Sequence, residues 1–451
     1  MRKKLNGSVT VFLALSMTGF LMLCLTLAEG TRVYFMKVQS ASAMDLAEFS
    51  VLSEYQNELL EKYGVFFLDL DYEQGKEHTG ILEQRAEKYL QSNTTEIETV
   101  TVCADNFRRA TDGKGTPFFN QAVAYQKVKS GYIVFEELLE VADGFGEDVP
   151  DLGELLEQNE DAAGSILGES EDDQMKVLWD ISLPGISFPS MEILTGMVLG
   201  TTDDLSQKSV DIGQRIENRT LEKGIGKQES IGIVDMQLFH SYLFDHFTCY
   251  GEQKGEKSSE ALEYQLEYII SGQGKDRDNL EDIMWRIFLL RAGGNYLFYH
   301  QDSGKAAVVQ AEAAAIASLL ANPELTGLIE EILYIVYAIE DGISETKQIF
   351  AGEKVPLYEN GIFSGLELGY KEYLFLFLNI TGSTDKIYRC MDLIEMEVRN
   401  SSGYEEFRMD HCTDHFQLQW TYQFHSLFRS VPTMNGGTYE NTMKGIFQYE
   451  I

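Results

Sequence analysis

The sequence is poor in basic residues and in proline. It holds 36 lysines and arginines against 72 aspartates and glutamates, so its formal net charge at pH 7 is −36. Proteins that bind nucleic acid need a basic surface to displace counterions from phosphate, and this balance argues against DNA or RNA as a partner. Only 7 prolines occur in 451 residues, while 44% of the residues are hydrophobic. Disordered chains have too few apolar residues to form a core, so we expect most of this chain to be folded.

Motifs of catalysis and of metal binding are also missing. The sequence contains no Gly-x-Ser-x-Gly, no Walker loop, no Cys-x-x-Cys and no His-Glu-x-x-His, which are the usual frames for an activated serine, a nucleotide phosphate or a zinc ion. Ser383 and Lys386 have the Ser-x-x-Lys spacing of some serine acyl-enzymes, but we interpret Ser383–Asp385 as the cap of the next helix. We predict no enzymatic activity and no cofactor.

Histidines and cysteines form two clusters that match no known ligand pattern. The first cluster comprises His411, Cys412, Asp414 and His415. The second comprises His240, His246 and Cys249. We interpret the first as polar residues of a sheet edge and the second as packing residues between aromatic side chains, so no metal site is predicted.

Few cysteines are available for disulfides. The four that lie outside the longest apolar run are Cys103, Cys249, Cys390 and Cys412. Four cysteines allow three pairings. The sequence leaves both disulfides and buried free thiols open.

A stretch of 21 residues, Ser8 to Ala28, is apolar and carries no charge. As a helix with a rise of about 1.5 Å per residue it is ~31 Å long, the hydrocarbon thickness of a bilayer. Residues 2–4 are all basic, and a basic cluster on the short side of a span predicts a cytoplasmic N-terminus and an extracellular remainder. A cleaved secretory signal has a shorter apolar region that ends in small residues, so we predict an uncleaved single-pass anchor in the cell membrane. The residues that mark this anchor are Ser8, Phe12, Leu15, Phe20, Leu25 and Ala28.

The helical pattern continues beyond the predicted membrane surface. Apolar residues recur every three or four positions as far as Tyr63, and neither proline nor glycine occurs from Thr31 to Tyr63. This spacing predicts one continuous helix from Ser8 to Tyr63, of which ~50 Å projects from the bilayer. The projecting stem either packs on its own outer domain or bundles with other subunits. The candidate stem or assembly residues are Glu29, Arg32, Ala41, Ala43 and Ala47, and we expect Glu29 and Arg32 to pair with each other or with a neighbouring subunit, or to be solvated.

The remainder predicts a mixed α+β fold that is mostly helical and contains antiparallel strands. Residues 143–175 hold twelve acidic residues and no lysine or arginine, which is typical of a solvated insertion. The predicted divisions are a cytoplasmic tip at 1–7, a transmembrane helix at 8–28, a stem helix at 29–64, a first α+β part of the ectodomain at 65–142, an acidic insertion or linker at 143–180 and a second α+β part at 181–451.

Local periodicity assigns helices and strands along the outer part. The predicted helices are Gly80–Gln91, Pro117–Ala142, Val234–His246, Leu280–Tyr299, Ala306–Ala321, Pro323–Gly352, Tyr370–Asn379 and Lys386–Asn400. The predicted strands are Val65–Leu70, Glu96–Cys103, Leu262–Ile270 and Phe416–Phe424. Phe416–Phe424 alternates apolar and polar residues most clearly, and we expect it to pair with Phe407–His411 and Gly445–Tyr449.

The N-terminus carries a recognisable order of residues. A basic tip and Gly7 precede Ser-Val-Thr-Val-Phe-Leu-Ala-Leu, and Glu-Gly-Thr-Arg and a run of small residues ending in Ala-Met-Asp-Leu-Ala follow. This order resembles the N-terminus of pseudopilins of tight-adherence (Tad) pilus systems. Pilin precursors are usually cut after Gly and carry Glu at the fifth mature position, where this sequence would have Phe12. The sequence does not decide whether the chain is cut after Gly7.

Further stretches resemble an uncharacterised family of bacterial single-span membrane proteins that is associated with Tad pilus loci. They are Glu54–Leu60, Phe66–Asp69, Ala110–Asp112, Leu262–Gly272, Asn279–Leu280, Leu290–Arg291, Ala351–Leu357 and Arg389–Ile394. The resemblance implies a membrane-anchored envelope protein, pseudopilin-like or accessory to a Tad-type pilus or secretion apparatus. Its partners would be the lipid bilayer and pilus or secretion-system subunits that contact the stem helix. The alternative is a stalked surface adhesin or ligand-binding module, which would need an exposed aromatic patch, for example near Trp420.

Overall fold

The structure is a computed structural model of the 451-residue chain. It describes residues 7–72, 79–130, 189–200, 205–252, 261–356, 367–401, 403–427 and 437–449. The predicted acidic insertion and residues 131–142 lie outside these described ranges. Within them, a long N-terminal helix, further helices and antiparallel strands confirm the predicted α+β class.

The chain forms two compact units, and each is assembled from separate segments. The first contains Met1–Gln121, Leu221–Glu229 and Ser401–Ile451; the second contains Ala122–Thr220 and Ser230–Asn400. The predicted divisions were consecutive along the chain, whereas both units here are discontinuous. Changes in composition along a sequence predict only consecutive divisions, because they do not indicate which later segments pack on an earlier unit.

The first unit is an antiparallel sheet covered by helices. Its elements are α1 (Gly7–Leu52), α2 (Asn57–Tyr63), β1 (Leu68–Asp69), α3 (Thr79–Ser92), β2 (Glu98–Arg109), the start of α4 (Asp112–Ser130), a 3-10 turn (Met409–His411), β5 (Cys412–His425) and β6 (Thr438–Gln448). Strand β5 is central: it pairs with β2 along one edge and with β6 and, at its first two residues, β1 along the other. Trp420 of β5 faces Met443 on one side and Val102 on the other.

The alternation predicted for the last long strand is confirmed. The alternating residues Phe416, Leu418, Trp420, Tyr422 and Phe424 are buried and pack with residues of α1 and α3 in one hydrophobic core. The prediction that Phe407–His411 is its partner strand is wrong, because Met409–His411 forms a 3-10 turn. Arg408 donates two hydrogen bonds to the Asp410 carboxylate, and this local bonding favours a turn over an extended strand.

The predicted continuous helix from Ser8 to Tyr63 is also wrong, because α1 ends at Leu52 and α2 begins at Asn57. At the break, the segments before and after α2 come together, because Gln56 donates its backbone N–H to the Phe67 carbonyl at 2.8 Å. The Gln56 side chain accepts from the backbone N–H of Leu59 and so caps α2. The predicted end at Gly64 is confirmed, since Gly64 adopts φ 67° at the C-cap.

The second unit is largely helical. Its elements are the remainder of α4, α5 (Met191–Leu199), a 3-10 turn (Ile212–Gln214), α6 (Ile233–His246), α7 (Gln265–Ser271), α8 (Asp276–Gln301), α9 (Ser303–Leu319), a 3-10 turn (Pro323–Leu325), α10 (Thr326–Phe350), β3 (Val355–Pro356), β4 (Glu367–Leu368), α11 (Tyr370–Ile380) and α12 (Ser383–Arg399). The five helices predicted between residues 280 and 400, together with Val234–His246, are confirmed within a few residues.

The strand predicted at Leu262–Ile270 is wrong, because its second half is helix α7. Two of the polar residues that suggested a solvent face are themselves buried: Gln265 is 3% exposed and Glu267 is fully buried. Asp276 fixes the preceding segment by accepting hydrogen bonds from the backbone N–H groups of Glu263 and Tyr264. Polar residues that are buried and hydrogen-bonded, when they alternate with apolar residues, give the same sequence pattern as a half-exposed strand.

Candidate functional site on the first helix

Helix α1 is the one helix in the described part of the chain that is long and apolar enough to cross a membrane. Every residue from Val9 to Cys24 is exposed, including the predicted anchor positions Phe12, Leu15 and Phe20. Leu25 is half-buried and Ala28 is exposed. Large exposed apolar surfaces are rare on water-soluble proteins, so this half of α1 has the properties of a single-pass membrane anchor.

The second half of α1 packs on the sheet of the first unit. One side of the helix is buried there, and its buried residues are Met36, Ser40, Ala43, Met44, Ala47 and Val51. Ser40 forms a hydrogen bond of 2.6 Å with the Tyr422 hydroxyl, and Met44 lies against Gly445 of β6. The candidate residues Ala43 and Ala47 therefore belong to the core of their own chain. Ala41 lies on the exposed side.

Glu29 and Arg32 bind the end of β5 and not each other. Glu29 is 4% exposed and accepts a hydrogen bond from the backbone N–H of Leu427 at 3.1 Å. Arg32 donates to the His425 carbonyl at 2.8 Å and to Glu96 Oε2 at 2.8 Å. These contacts fix the helix to the sheet at the point where the apolar half of α1 ends. The two side chains, which the sequence offered as an assembly contact, have partners inside the chain.

The outward side of the packed half carries large apolar residues among polar ones such as Lys37 and Asp45. Phe35 is 60% exposed, Val38 49% and Phe49 79%. Tyr34 and Leu46 are exposed beside them. The sequence prediction did not include these residues, because which side of α1 the sheet covers has no signal in the local pattern.

Trp420 lies in the core of the first unit and is fully buried. Its indole N–H donates to the Thr99 hydroxyl at 3.1 Å. Trp420 therefore provides no exposed aromatic surface of the kind that an adhesin would use.

The histidine clusters do not assemble a metal centre in the described residues, where no group of three or more potential ligands meets. His411 is buried and lies 2.8 Å from both carboxylate oxygens of Asp71. Burial disfavours the imidazolium, but the hydrogen bond and the charge of Asp71 outweigh it and raise the pKa of His411. His415 lies on β5, apart from this pair, and contacts Gln448 at 3.3 Å.

Lys386 and His240 form a buried pair in the second unit. The Lys386 ammonium donates to the Leu378 carbonyl at 2.7 Å and to His240 Nε2 at 2.9 Å. Burial lowers the pKa of Lys386 to about 8, and burial together with the lysine charge lowers the pKa of His240 to about 3. Lys386 thus binds a carbonyl near the C-terminal end of α11 and ties it to α6.

Ser383 is the first residue of α12, and Gly382 occupies the cap position without a side-chain hydrogen bond. The predicted cap at Ser383–Asp385 is therefore wrong by one residue. The five cysteines are free thiols: Cys249, Cys390 and Cys412 are buried, and Cys24 and Cys103 are exposed.

Asp112, from the stretch Ala110–Asp112, holds a segment that returns to the first unit. Its carboxylate accepts hydrogen bonds from the backbone N–H groups of Arg109, Gly224 and Gly226 at 2.8 to 3.0 Å. A Cβ atom at Gly224 would lie 2.2 Å from the Phe107 carbonyl oxygen. Local pattern does not predict this contact, because Gly224 and Gly226 lie more than a hundred residues from Asp112 in the chain.

Among the comparisons with known proteins, one family match was found, and it lies mainly in the second unit. The model of a family of unknown function (DUF5702) matches residues 187–362 and 359–424. The chain belongs to this family. The match covers more than half of the chain and confirms the resemblance to an uncharacterised family. Curated proteins and solved structures give no match. For this DUF5702 protein, helix α1 lies outside the matched region.

Proposed function

We propose that this DUF5702 protein is a single-pass membrane protein of the cell envelope, with its N-terminus in the cytoplasm and its two folded units outside. Its role is structural, as a pseudopilin-like or accessory component of a Tad-type pilus or secretion apparatus. The observation that carries the proposal is the division of α1 into an exposed apolar half and a half that packs on the sheet. Such a helix joins a folded unit rigidly to a span.

The pilus part of the proposal draws on the N-terminal order of residues, which resembles Tad pseudopilins. The basic residues at 2–4 supply the orientation. Phe12 stands where a processed pilin would carry Glu, which favours an accessory component over a subunit of the filament.

Membrane anchoring is tested by flotation of cell membranes. An arginine at the centre of a span costs about 2.5 to 3.5 kcal/mol, so the double variant Leu15→Arg/Phe20→Arg is expected to leave the membrane fraction. Phe49→Arg is the matched control, since it adds the same side chain to an exposed position of α1 outside the span. Flotation of the double variant with the wild-type amount would contradict the anchor.

The pilus role is tested in the source organism. Deleting the coding gene should reduce or abolish surface pili, and the wild-type gene should restore them. Full-length protein solubilised in mild detergent should copurify with pilus-assembly subunits. Normal pili in the deletion strain, with no copurifying subunit, would refute the pilus role and leave the anchor untouched.

A further inference from the structure

We propose that one end of the sheet in the first unit lies on the bilayer and that the exposed side chain of Leu427 contacts the phospholipid headgroups. This surface, here the lipid-facing edge, consists of residues 96–98 at the start of β2 and residues 425–427 at the end of β5. Its partner is the headgroup layer of the bilayer that holds α1. The inference rests on the membrane anchoring proposed above and is independent of the pilus role.

A hydrogen bond places Leu427 at the end of the span. Glu29 directly follows the uncharged stretch of α1, and its carboxylate accepts a hydrogen bond from the Leu427 backbone N–H at 3.1 Å. Side chains of a helix lean toward its N-terminus, which for α1 is the direction of the bilayer. The Leu427 backbone therefore lies close to the outer limit of the hydrocarbon.

Leu25 indicates that the chain covers part of the span itself. It precedes Glu29 by four residues and so lies on the same side of α1, ~6 Å nearer the centre of the bilayer. Leu25 is half-buried, whereas every other residue from Val9 to Ala28 is exposed. A single covered leucine on an otherwise exposed span means that the chain folds back onto α1 at this height. This is the height of the outermost hydrocarbon and of the headgroups.

The side chains at the lipid-facing edge suit the headgroup layer. Leu427 is 53% exposed and is the apolar residue of the edge that is available to lipid. Glu96 and Glu98 are exposed, and the polar layer, which extends about 5 to 8 Å beyond the hydrocarbon, keeps such carboxylates hydrated. On α1 itself, the exposed Tyr34 lies ~8 Å beyond Glu29, at the level where tyrosine is enriched in membrane proteins.

The opposite end of the sheet lies far from the bilayer, because the strands run along α1. The contacts that show this, in order along α1, are Arg32 with His425, Ser40 with Tyr422, Met44 with Gly445 and Leu52 with Tyr449. Met44 lies ~22 Å beyond Glu29 along the helix. Gly445 and its neighbour Ile446 on β6 are therefore beyond the reach of the headgroups.

Fluorescence quenching of full-length protein in phosphatidylcholine vesicles tests the contact. The background is Cys24→Ser/Cys103→Ser, which removes the two exposed thiols. A small maleimide dye is attached to the single cysteine introduced by Leu427→Cys. The quencher is phosphatidylcholine that carries a nitroxide on its headgroup, present in both leaflets so that the orientation of the protein does not affect the result. The measured quantity is the fraction of dye fluorescence that this lipid removes.

Two further single-cysteine variants calibrate the measurement. Tyr34→Cys reports the height of α1 itself. Ile446→Cys is the matched control, because Ile446 is an aliphatic residue of the same sheet with nearly the same exposure, 57%. We expect the fraction quenched at Leu427→Cys and at Tyr34→Cys to be about threefold larger than at Ile446→Cys, since nitroxide quenching is short-ranged and Ile446 lies ~22 Å beyond Glu29.

The outcomes separate the lipid contact from the anchor. If Tyr34→Cys is quenched strongly but Leu427→Cys is quenched no more than Ile446→Cys, α1 is anchored while the edge stands clear of lipid, and the proposal is overturned. Equally strong quenching at Leu427→Cys and Ile446→Cys would also overturn it, because the sheet would then lie flat on the bilayer. Failure of the unmodified protein to float with the vesicles would instead refute the anchor.

Discussion

Glu267 is a buried carboxylate that joins α7 to two other segments of the second unit. Its Oε1 accepts hydrogen bonds from the Tyr250 backbone N–H at 2.7 Å and from the Tyr370 hydroxyl at 2.6 Å. Its Oε2 has no hydrogen-bond partner among the described residues. Burial outweighs these hydrogen bonds and raises the pKa of Glu267 from 4.5 to about 7. The folded unit therefore retains a proton that the unfolded chain has already lost between these pH values.

This shift predicts that the free energy of unfolding is highest below pH 4.5 as far as Glu267 is concerned, and falls as the pH rises through about 7. Glu267→Gln resembles the protonated side chain, so it should raise the urea midpoint at pH 8 and leave it nearly unchanged at pH 5. Urea unfolding of the full chain in detergent at both pH values checks this. The exposed Glu440→Gln is the control and should change neither midpoint. Equal effects of Glu267→Gln at the two pH values would contradict the assigned shift.

Asp112 connects three backbone N–H groups through one carboxylate, and the glycines at 224 and 226 allow the approach. Asp112→Ala leaves one buried donor, at Arg109, and two half-buried donors, at Gly224 and Gly226, without this partner. We expect it to lower the free energy of unfolding by about 1 to 3 kcal/mol. Gly224→Ala should also destabilise, because its methyl group would meet the Phe107 carbonyl. Gly80→Ala is the control, as a Cβ there meets nothing within 4 Å. Thermal unfolding with Asp112→Ala unchanged from wild type would refute this role.

The two sides of helix α1 are expected to tolerate different side-chain sizes. Ala47 is fully buried against the sheet, whereas Ala41 is exposed. Ala47→Leu overpacks the core and should lower the free energy of unfolding by about 1 to 3 kcal/mol. Ala41→Leu, with the same added volume, should change it by less than about 0.5 kcal/mol. Denaturant unfolding of both variants compares them directly, and equal destabilisation would mean that α1 does not pack as described.

At the level of the elements, the sequence predicted what depends on short-range pattern. The apolar run Ser8–Ala28 and the alternation along β5 depend on neighbours within a few positions, and both were predicted. The break at Ser53–Gln56 was not, because it depends on a hydrogen bond from Gln56 to Phe67 across α2. The 3-10 turn at Met409–His411 and helix α7 were wrongly predicted as strands for the same reason, because buried polar contacts decide their structure.

The candidate site was predicted in part. The anchor positions were identifiable because a membrane span needs only length and lack of charge. The partners of Glu29 and Arg32 were not, because Leu427, His425 and Glu96 come close only after the sheet has formed. The side of α1 that stays exposed likewise depends on which side the sheet covers.

At the scale of the whole molecule, the proposed function requires that α1 crosses a membrane and that the folded units lie outside the cell. Cys103 provides a native probe of this arrangement, because it is an exposed free thiol on β2, whereas Cys24 lies within the apolar half of α1. A membrane-impermeant maleimide applied to intact cells should label the wild-type protein, and Cys103→Ser should abolish the labelling. Labelling of Cys103 only after the cells are broken would contradict the account.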